Sequence, residues 1–143
     1  MTHTPDLVVG IAELLDTEGI GVYDPDQPLP LGATAIVIGP VPPEPAAVIG
    51  LTPYPVADDD TDQAITGVQA RFRADAGTLA VLTLADEVFR VLHARRHYVA
   101  GGVSVALSWR NSQAWIGQDT RGRQELTANY YLRTTRSGTH LID

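Results

Sequence analysis

The sequence predicts an α+β domain, a mainly antiparallel sheet with two helices packed on one of its faces. Three observations carry that prediction: two apolar stripes at helical spacing, three stretches in which apolar and polar residues alternate, and the order helix, irregular strands, strand, helix, hairpin. At 143 residues the chain has room for one domain over 1–143 with a single core. Its hydrophobic fraction of 44% and charged fraction of 19% lie near globular averages, which argues against wholesale disorder and against a coiled coil.

Thr4-Pro5-Asp6 has the chemistry of a helix start. It offers a hydroxyl cap, a proline whose missing N–H costs nothing, and a carboxylate near the positive end of the dipole. Leu7, Val8, Ile11, Leu14 and Leu15 then share one stripe, and Gly19 ends the element. From 20 to 63 the chain changes character, because nine of its ten prolines fall here. Ala35 to Gly39 and Ala46 to Leu51 read as short strands at sheet edges or as extended proline-rich arms, and Asp58-Asp59-Asp60-Thr61-Asp62 as an exposed acidic loop.

Val68, Ala70 and Phe72 alternate with Gln69, Arg71 and Arg73, giving a strand with one dry face and one cationic face. A second helix, capped by Asp75 or Thr78, runs through Val81, Leu84, Ala85, Val88 and Leu92 to a cationic end at His93-Ala94-Arg95-Arg96-His97. After Gly101-Gly102, Val103, Val105, Leu107 and Trp109 define one strand and Leu126, Ala128, Tyr130 and Leu132 another. Residues 112–125 are the expected hairpin loop.

Seventeen acidic against ten basic residues give a formal charge of -7, a field that repels phosphate backbones and disfavours tight nucleic-acid binding. The absence of cysteine excludes disulfides, thiolate metal sites and cysteine nucleophiles. No window approaches a membrane span and no secretory leader is legible, so no membrane partner is expected and the chain is expected to remain in the cytoplasm where it is made.

Little in the sequence points to catalysis. It lacks a nucleophile elbow, a Walker loop and a dinucleotide glycine fingerprint, and no cofactor is implied. The four aspartates 58, 59, 60 and 62 lack the glycine and distal glutamate of a calcium loop, so a solvated loop is the expectation. His93 and His97 stand at metal-binding spacing for a helix, but Arg95 and Arg96 between them repel a cation. The aromatic residues around the hairpin have two readings: core packing is favoured for Trp109 and Tyr130, while Trp115 and Tyr131 are candidate interface anchors. Arg121 and Arg123 at the turn can dock a carboxylate patch on a neighbour.

Four colinear segments resemble the siphophage minor capsid or tail terminator family. They are Leu51-Thr52-Pro53-Tyr54-Pro55-Val56 with the aspartates after it, Gly67 to Arg73, Leu84 to His93, and Trp109-Arg110-Asn111-Ser112 with Gly117-Gln118-Asp119, Gly122-Arg123 and Asn129-Tyr130-Tyr131-Leu132. The resemblance implies a tail-terminator-like fold and a non-enzymatic virion protein of a long-tailed phage, assembled in the host bacterial cytoplasm. It implies a ring, commonly a hexamer, that caps the tail tube protein and joins it to a head-tail connector or stopper protein, with genomic DNA only as passing cargo. On that reading Asp58, Asp59, Asp60 and Asp62 line the channel or a subunit contact, and Trp115, Arg121, Arg123 and Tyr131 meet neighbours. The alternatives are another neck protein (head completion or stopper), a small bacterial ligand-binding domain that stays monomeric around an apolar pocket, and an enzyme with a titratable cluster in a cleft.

Overall fold

The structure, a computed structural model, describes residues 2–27, 29, 32–75 and 77–142. Helix α1 spans His3–Thr17 and helix α2 Thr78–Leu92; the strands are β1 Ala35–Ile38, β2 Val48–Asp58, β3 Gln63–Arg73, β4 Arg95–Ala100, β5 Val103–Gln118 and β6 Gln124–Thr135. They form one six-stranded sheet in the order β1-β2-β3-β6-β5-β4, antiparallel except for the β1–β2 pair. The fold class is the α+β architecture read from the sequence.

One face of the sheet is dry. Ala64, Val68, Ala70 and Phe72 of β3 and Leu126, Ala128, Tyr130 and Leu132 of β6 are buried at alternate positions, as a one-sided strand requires. A single apolar cluster joins them to Leu7, Ile11 and Leu15 of α1 and to Val81, Ala85, Val88 and Leu92 of α2, so both helices lie over this face. Each fully buried Val, Leu, Ile or Phe among them contributes about 1.5–3 kcal/mol, more than any one cap or surface pair. Helix α1 approaches the β4–β5 turn backbone to backbone: a Cβ on Gly10 would lie 2.1 Å from the Gly101 nitrogen, and one on Gly101 would lie 1.8 Å from the Asp6 carbonyl oxygen.

The helix starts differ in detail from the sequence reading. In α1 the cap position is Thr2, and Asp6 accepts a hydrogen bond from the Thr2 N–H at 2.9 Å, which returns the chain onto its own first turn. Gly77, rather than Asp75 or Thr78, precedes α2, and the Thr78 hydroxyl instead donates to Gln124 Oε1 at 2.8 Å. The cationic segment 93–97 is not a helix end, because α2 stops at Leu92 and Arg95–Ala100 is the edge strand β4. His93 and His97 therefore never share a helix face.

The proline-rich segment does not form a free arm among the described residues. Residues 35–38 enter the sheet as the short parallel edge β1, and the expected strand ending at Leu51 runs on to Asp58 through Pro53 and Pro55. Strand β1 covers only Val48 to Leu51 of β2, and the Leu51 carbonyl accepts from the Gly39 N–H on that side. Positions 53 and 55 have the same alternation as Leu51, so their missing N–H groups face the open edge, where a proline breaks no ladder bond. Pro28, Pro30 and Leu31 of this segment lie outside the described residues.

The hairpin is also longer than expected, since residues 112–118 belong to β5 and only 119–123 form the loop. Register shifts between Val105 and Leu107, Arg110 and Ser112, and Trp115 and Gly117 mark three bulges in β5. A bulge moves the following side chains to the opposite face. After Val105, therefore, Ser108 points into the core and Leu107 and Trp109 point out. Trp109 and Tyr130 do not share the dry face: Tyr130 is fully buried, and Trp109 pairs with Tyr131 on the other side.

The Tyr130 hydroxyl is buried without a hydrogen-bond partner among the described residues, and burial pushes its phenol pKa well up. Tyr130→Phe should therefore raise the denaturant midpoint by an amount equivalent to about 1 kcal/mol. A lower midpoint would show that the hydroxyl is bonded. His3 is held below its ordinary pKa of 6.5 by burial and then by the charge of Arg136, with Asp58 opposing them, and its Nε2 lies 3.0 Å from the Thr134 hydroxyl. Protonation thus costs the folded state more than the unfolded one. Stability from this residue is complete above the ordinary pKa and is lost as pH falls through the lowered folded value. Thermal melts between about pH 7 and about pH 5 should show His3→Gln with a flatter pH dependence than the parent.

Candidate assembly surfaces

The second face of the sheet carries no helix and is polar and aromatic. Tyr54 of β2 lies across Gly67 of β3, where a Cβ would sit 2.4 Å from its ring, and its hydroxyl donates to Asn129 Oδ1 at 2.8 Å. Asn129 Nδ2 in turn donates to the Ser112 hydroxyl at 3.1 Å, so one chain of hydrogen bonds crosses from β2 to β5. Alongside it Trp109 and Tyr131 meet edge to face at 5.9 Å, and the Arg133 guanidinium stands 5.7 Å from the Trp109 ring centroid. Tyr131 is half-buried in this cluster, whereas Trp115, paired with the core residue Leu126 near the hairpin end of β5, is on the other face and 47% exposed.

At the hairpin end the same face holds an ion cluster. Arg73 and Glu125, opposite each other on β3 and β6, are almost fully buried, with Arg73 Nη1 3.5 Å from Glu125 Oε2. Arg71 also pairs with Glu125. Arg73 then clamps the proline loop: Nε donates to the Ala46 carbonyl at 2.9 Å, and Nη2 to the Pro42 and Pro45 carbonyls at 2.6 and 2.9 Å. Five donors in a fixed fork suit this task, and lysine could not do it.

The hairpin loop is tied to the same clamp. Asp119 accepts from the Arg121 and Arg123 N–H groups at 2.9 and 2.8 Å and from Arg123 Nε at 2.7 Å. Burial raises the Asp119 pKa, but these bonds together outweigh it and hold the carboxyl below its usual range. Arg123 Nη2 reaches the Pro43 carbonyl at 2.9 Å and Arg121 pairs with Glu44. The two arginines therefore differ. The Arg123 side chain is only 11% exposed and locks loop to loop, while Arg121 is open to solvent. Between the two loops lies a cleft of about 470 Å³ lined by Pro40, Val41, Arg71, Ile116 and Arg121.

The acidic loop sits at the opposite end, at the tip of the β2–β3 hairpin. Asp59 Oδ1 accepts from the Thr61 hydroxyl at 2.6 Å and from the Thr61 N–H at 2.7 Å, and these bonds lower its pKa. The C-terminal segment straps the loop, with Ile142 N–H donating to the Asp60 carbonyl at 2.7 Å and Asp62 N–H to the Ile142 carbonyl at 3.0 Å. The side chains of Asp58, Asp59 and Asp60 point to solvent, and Asp62 is partly covered.

The sequence-derived residues thus fall in three places. Asp58 to Asp62 are at one end, Arg121 and Arg123 at the other with Trp115 close to them on the opposite face, and Tyr131 on the helix-free face between. Sequence reasoning missed Arg71, Arg73 and Glu125, although two arginines alternating with a dry strand face and facing a strand glutamate were a usable signal. His93 stacks on Phe89 at 4.4 Å and takes the Arg110 N–H at 3.1 Å, and among the described residues no group of three metal-ligating side chains is present. No described helix is long and apolar enough to cross a membrane.

Removing the clamp tests its weight. Arg73→Ala leaves the buried Glu125 carboxylate with Arg71 as its one arginine partner and strips three carbonyl oxygens of their donor, and chemical denaturation should show a loss of about 3 kcal/mol. Arg121→Ala should leave stability nearly unchanged, as exposed pairs contribute little. Equal losses would contradict the division between the two.

Comparison with known proteins matches this architecture. No curated protein matches the chain. A solved chain from the "Virion of native gene transfer agent (GTA) particle" shares the fold with a TM-score of 0.59 at 16% identity, over 92% of this chain and 95% of that one. Residues 14–136 match the family model for bacteriophage tail terminator protein, a span that takes in all six strands, α2 and the end of α1. The chain belongs to the bacteriophage tail terminator family, and so to the structural proteins of the phage virion.

Proposed function

We propose that this chain forms a homo-oligomeric ring, a hexamer, that closes the finished tail tube of a long-tailed phage and presents its other side to the head-tail connector or stopper protein. The family match carries the reading, and the surfaces support it. The uncovered aromatic face, the exposed strand edges and the two loop-bearing ends of the sheet are chemistry for contact. A head-to-tail contact repeated with a fixed rotation closes such a ring. Occupying the growing end of the tube then stops its polymerisation without any bond being made or broken, and no enzymatic step is assigned to the chain.

The net charge of -7 suits a collar through which DNA passes without sticking. The hairpin loop with Arg121 is the candidate axial contact, because it projects from one end of the sheet and is held rigid by the Arg73 and Arg123 clamps. A rigid projection loses little entropy on docking.

Particles made without this protein should carry tubes of scattered, excessive length and no attached heads, scored by negative-stain microscopy, and supplying the chain in trans should restore one tail length. Tails of normal length joined to heads in its absence would end the proposal.

A further inference from the structure

We infer that the cleft between the proline loop and the β5–β6 hairpin loop is a socket for a carboxylate, carried on an acidic and partly apolar loop of the virion protein that abuts this end of the ring. The socket presupposes the ring proposed above and gives its axial contact a chemistry.

Cations are placed unevenly in the chain. It has no lysine, so its ten cationic residues are all arginine, and four of them, Arg71, Arg73, Arg121 and Arg123, line this one cleft. Against them stand Glu44, Asp119 and Glu125, so the cleft and its rim carry four positive charges less three negative, an excess of one. The rest of the chain then holds six arginines against fourteen carboxylates, or -8, which with the +1 restores the formal -7. The cleft is a cationic spot on an anionic molecule.

The four arginines are not equally committed. Arg73 and Arg123 use their donors on carbonyls of the proline loop and on carboxylates within the chain. Arg71 turns Nε and Nη2 to one oxygen of Glu125, which leaves Nη1 without a partner among the described residues. Arg121 turns Nη1 to Glu44, and its Nε and Nη2 are likewise unpartnered among them. The Arg71 and Arg121 side chains are 43% and 59% exposed. Two forks with unused donors thus open on one hollow of about 470 Å³. A guanidinium fork matches the two oxygens of a carboxylate, and such charge-assisted bonds are about twice as strong as neutral ones. Glu44 already holds a carboxylate at the rim, and because both members of the Arg121–Glu44 pair are exposed, Arg121 can exchange it for a competitor at little cost.

The walls select a protein ligand. Pro40, Val41 and Ile116 supply an apolar side, and Ile116 is 48% exposed and free to be covered. A phosphate backbone has no group to place there, and it meets the -8 carried by the rest of the chain. An acidic residue next to Leu, Val or Ile on a protein loop satisfies both halves of the cleft. The socket is also preformed. The Arg73 and Arg123 clamps hold both of its loops, and a preformed site loses little entropy on binding.

Charge reversal tests the socket in the whole phage. Arg121→Glu should leave the melting temperature and, by native mass spectrometry, ring formation unchanged, while the yield of heads joined to tails falls at least about tenfold. Arg121→Lys, which keeps the charge and loses the fork, should fall between the two. Ile116→Asp, which sets a carboxylate in the apolar wall, should lower joining by a similar factor. Plaque-forming revertants of Arg121→Glu should carry, at a second site, Asp or Glu replaced by Lys or Arg in a single neighbouring virion protein. Normal joining by Arg121→Glu overturns the socket, and so do suppressors found only within this chain. A gel shift of DNA by wild-type rings that Arg121→Glu abolishes assigns the cleft to phosphate and overturns it too. A wild-type chain that forms no ring removes the reading beneath the socket, whereas intact rings indifferent to Arg121→Glu remove the socket alone.

Discussion

The unbroken ladder between β3 and β6 is the constraint from which the remaining geometry is measured. It runs in one register from Gln63 opposite Thr135 to Arg73 opposite Glu125, with no bulge. Because side chains alternate with period two, this register fixes at once which residues go inward: Val68, Ala70 and Phe72 from one strand, Ala128, Tyr130 and Leu132 from the other. The same register sends Arg71, Arg73 and Glu125 to the opposite face, where they form the ion cluster. A one-residue slip would exchange the core for the charges. Burial of the apolar set therefore also builds the polar one.

The charged cluster extends that order to segments with no core of their own. The proline loop has little apolar surface to bury, and its carbonyls need donors wherever they are covered. Arg73 supplies three such bonds and Arg123 a fourth, so two loops from distant parts of the sequence are fixed to one strand end. A loop held this way keeps its shape without occupying the helix-covered face. This leaves the aromatic face uncovered by the chain's own helices, as a component that functions by contact requires.

Much of the fold was legible because periodicity and one-sided burial coincide. The stripe of α1, the broad apolar face of α2 and the alternation in β3 and β6 all report burial against one surface, and the structure places them there. What escaped the sequence has identifiable causes. Strand β4 hides in a run of arginines and histidine, because an edge strand with a solvent face needs no alternation. Three bulges in β5 break the period-two pattern, so Trp109 reads as a core residue and is not. Prolines in β2 suggest a chain that cannot pair, yet all their donor-less positions fall on one open side. Of the candidate surface residues, Asp58 to Asp60 and Arg121 were readable as exposed from charge and turn chemistry. The burial of Arg123 was not, since it depends on carbonyls of a loop eighty positions away in sequence.

Pro53 and Pro55 have a further consequence for growth. Two β2 edges brought face to face would meet with acceptors and almost no donors, and with four aspartates apiece, so a two-fold dead-end pair through that edge is closed to the molecule. In the proposed ring only one-way contacts between copies are then left, like a row of couplings with a hook on one side and an eye on the other. A one-way link with a constant turn returns on itself after a set number of copies and leaves no unsatisfied edge for a further copy to join.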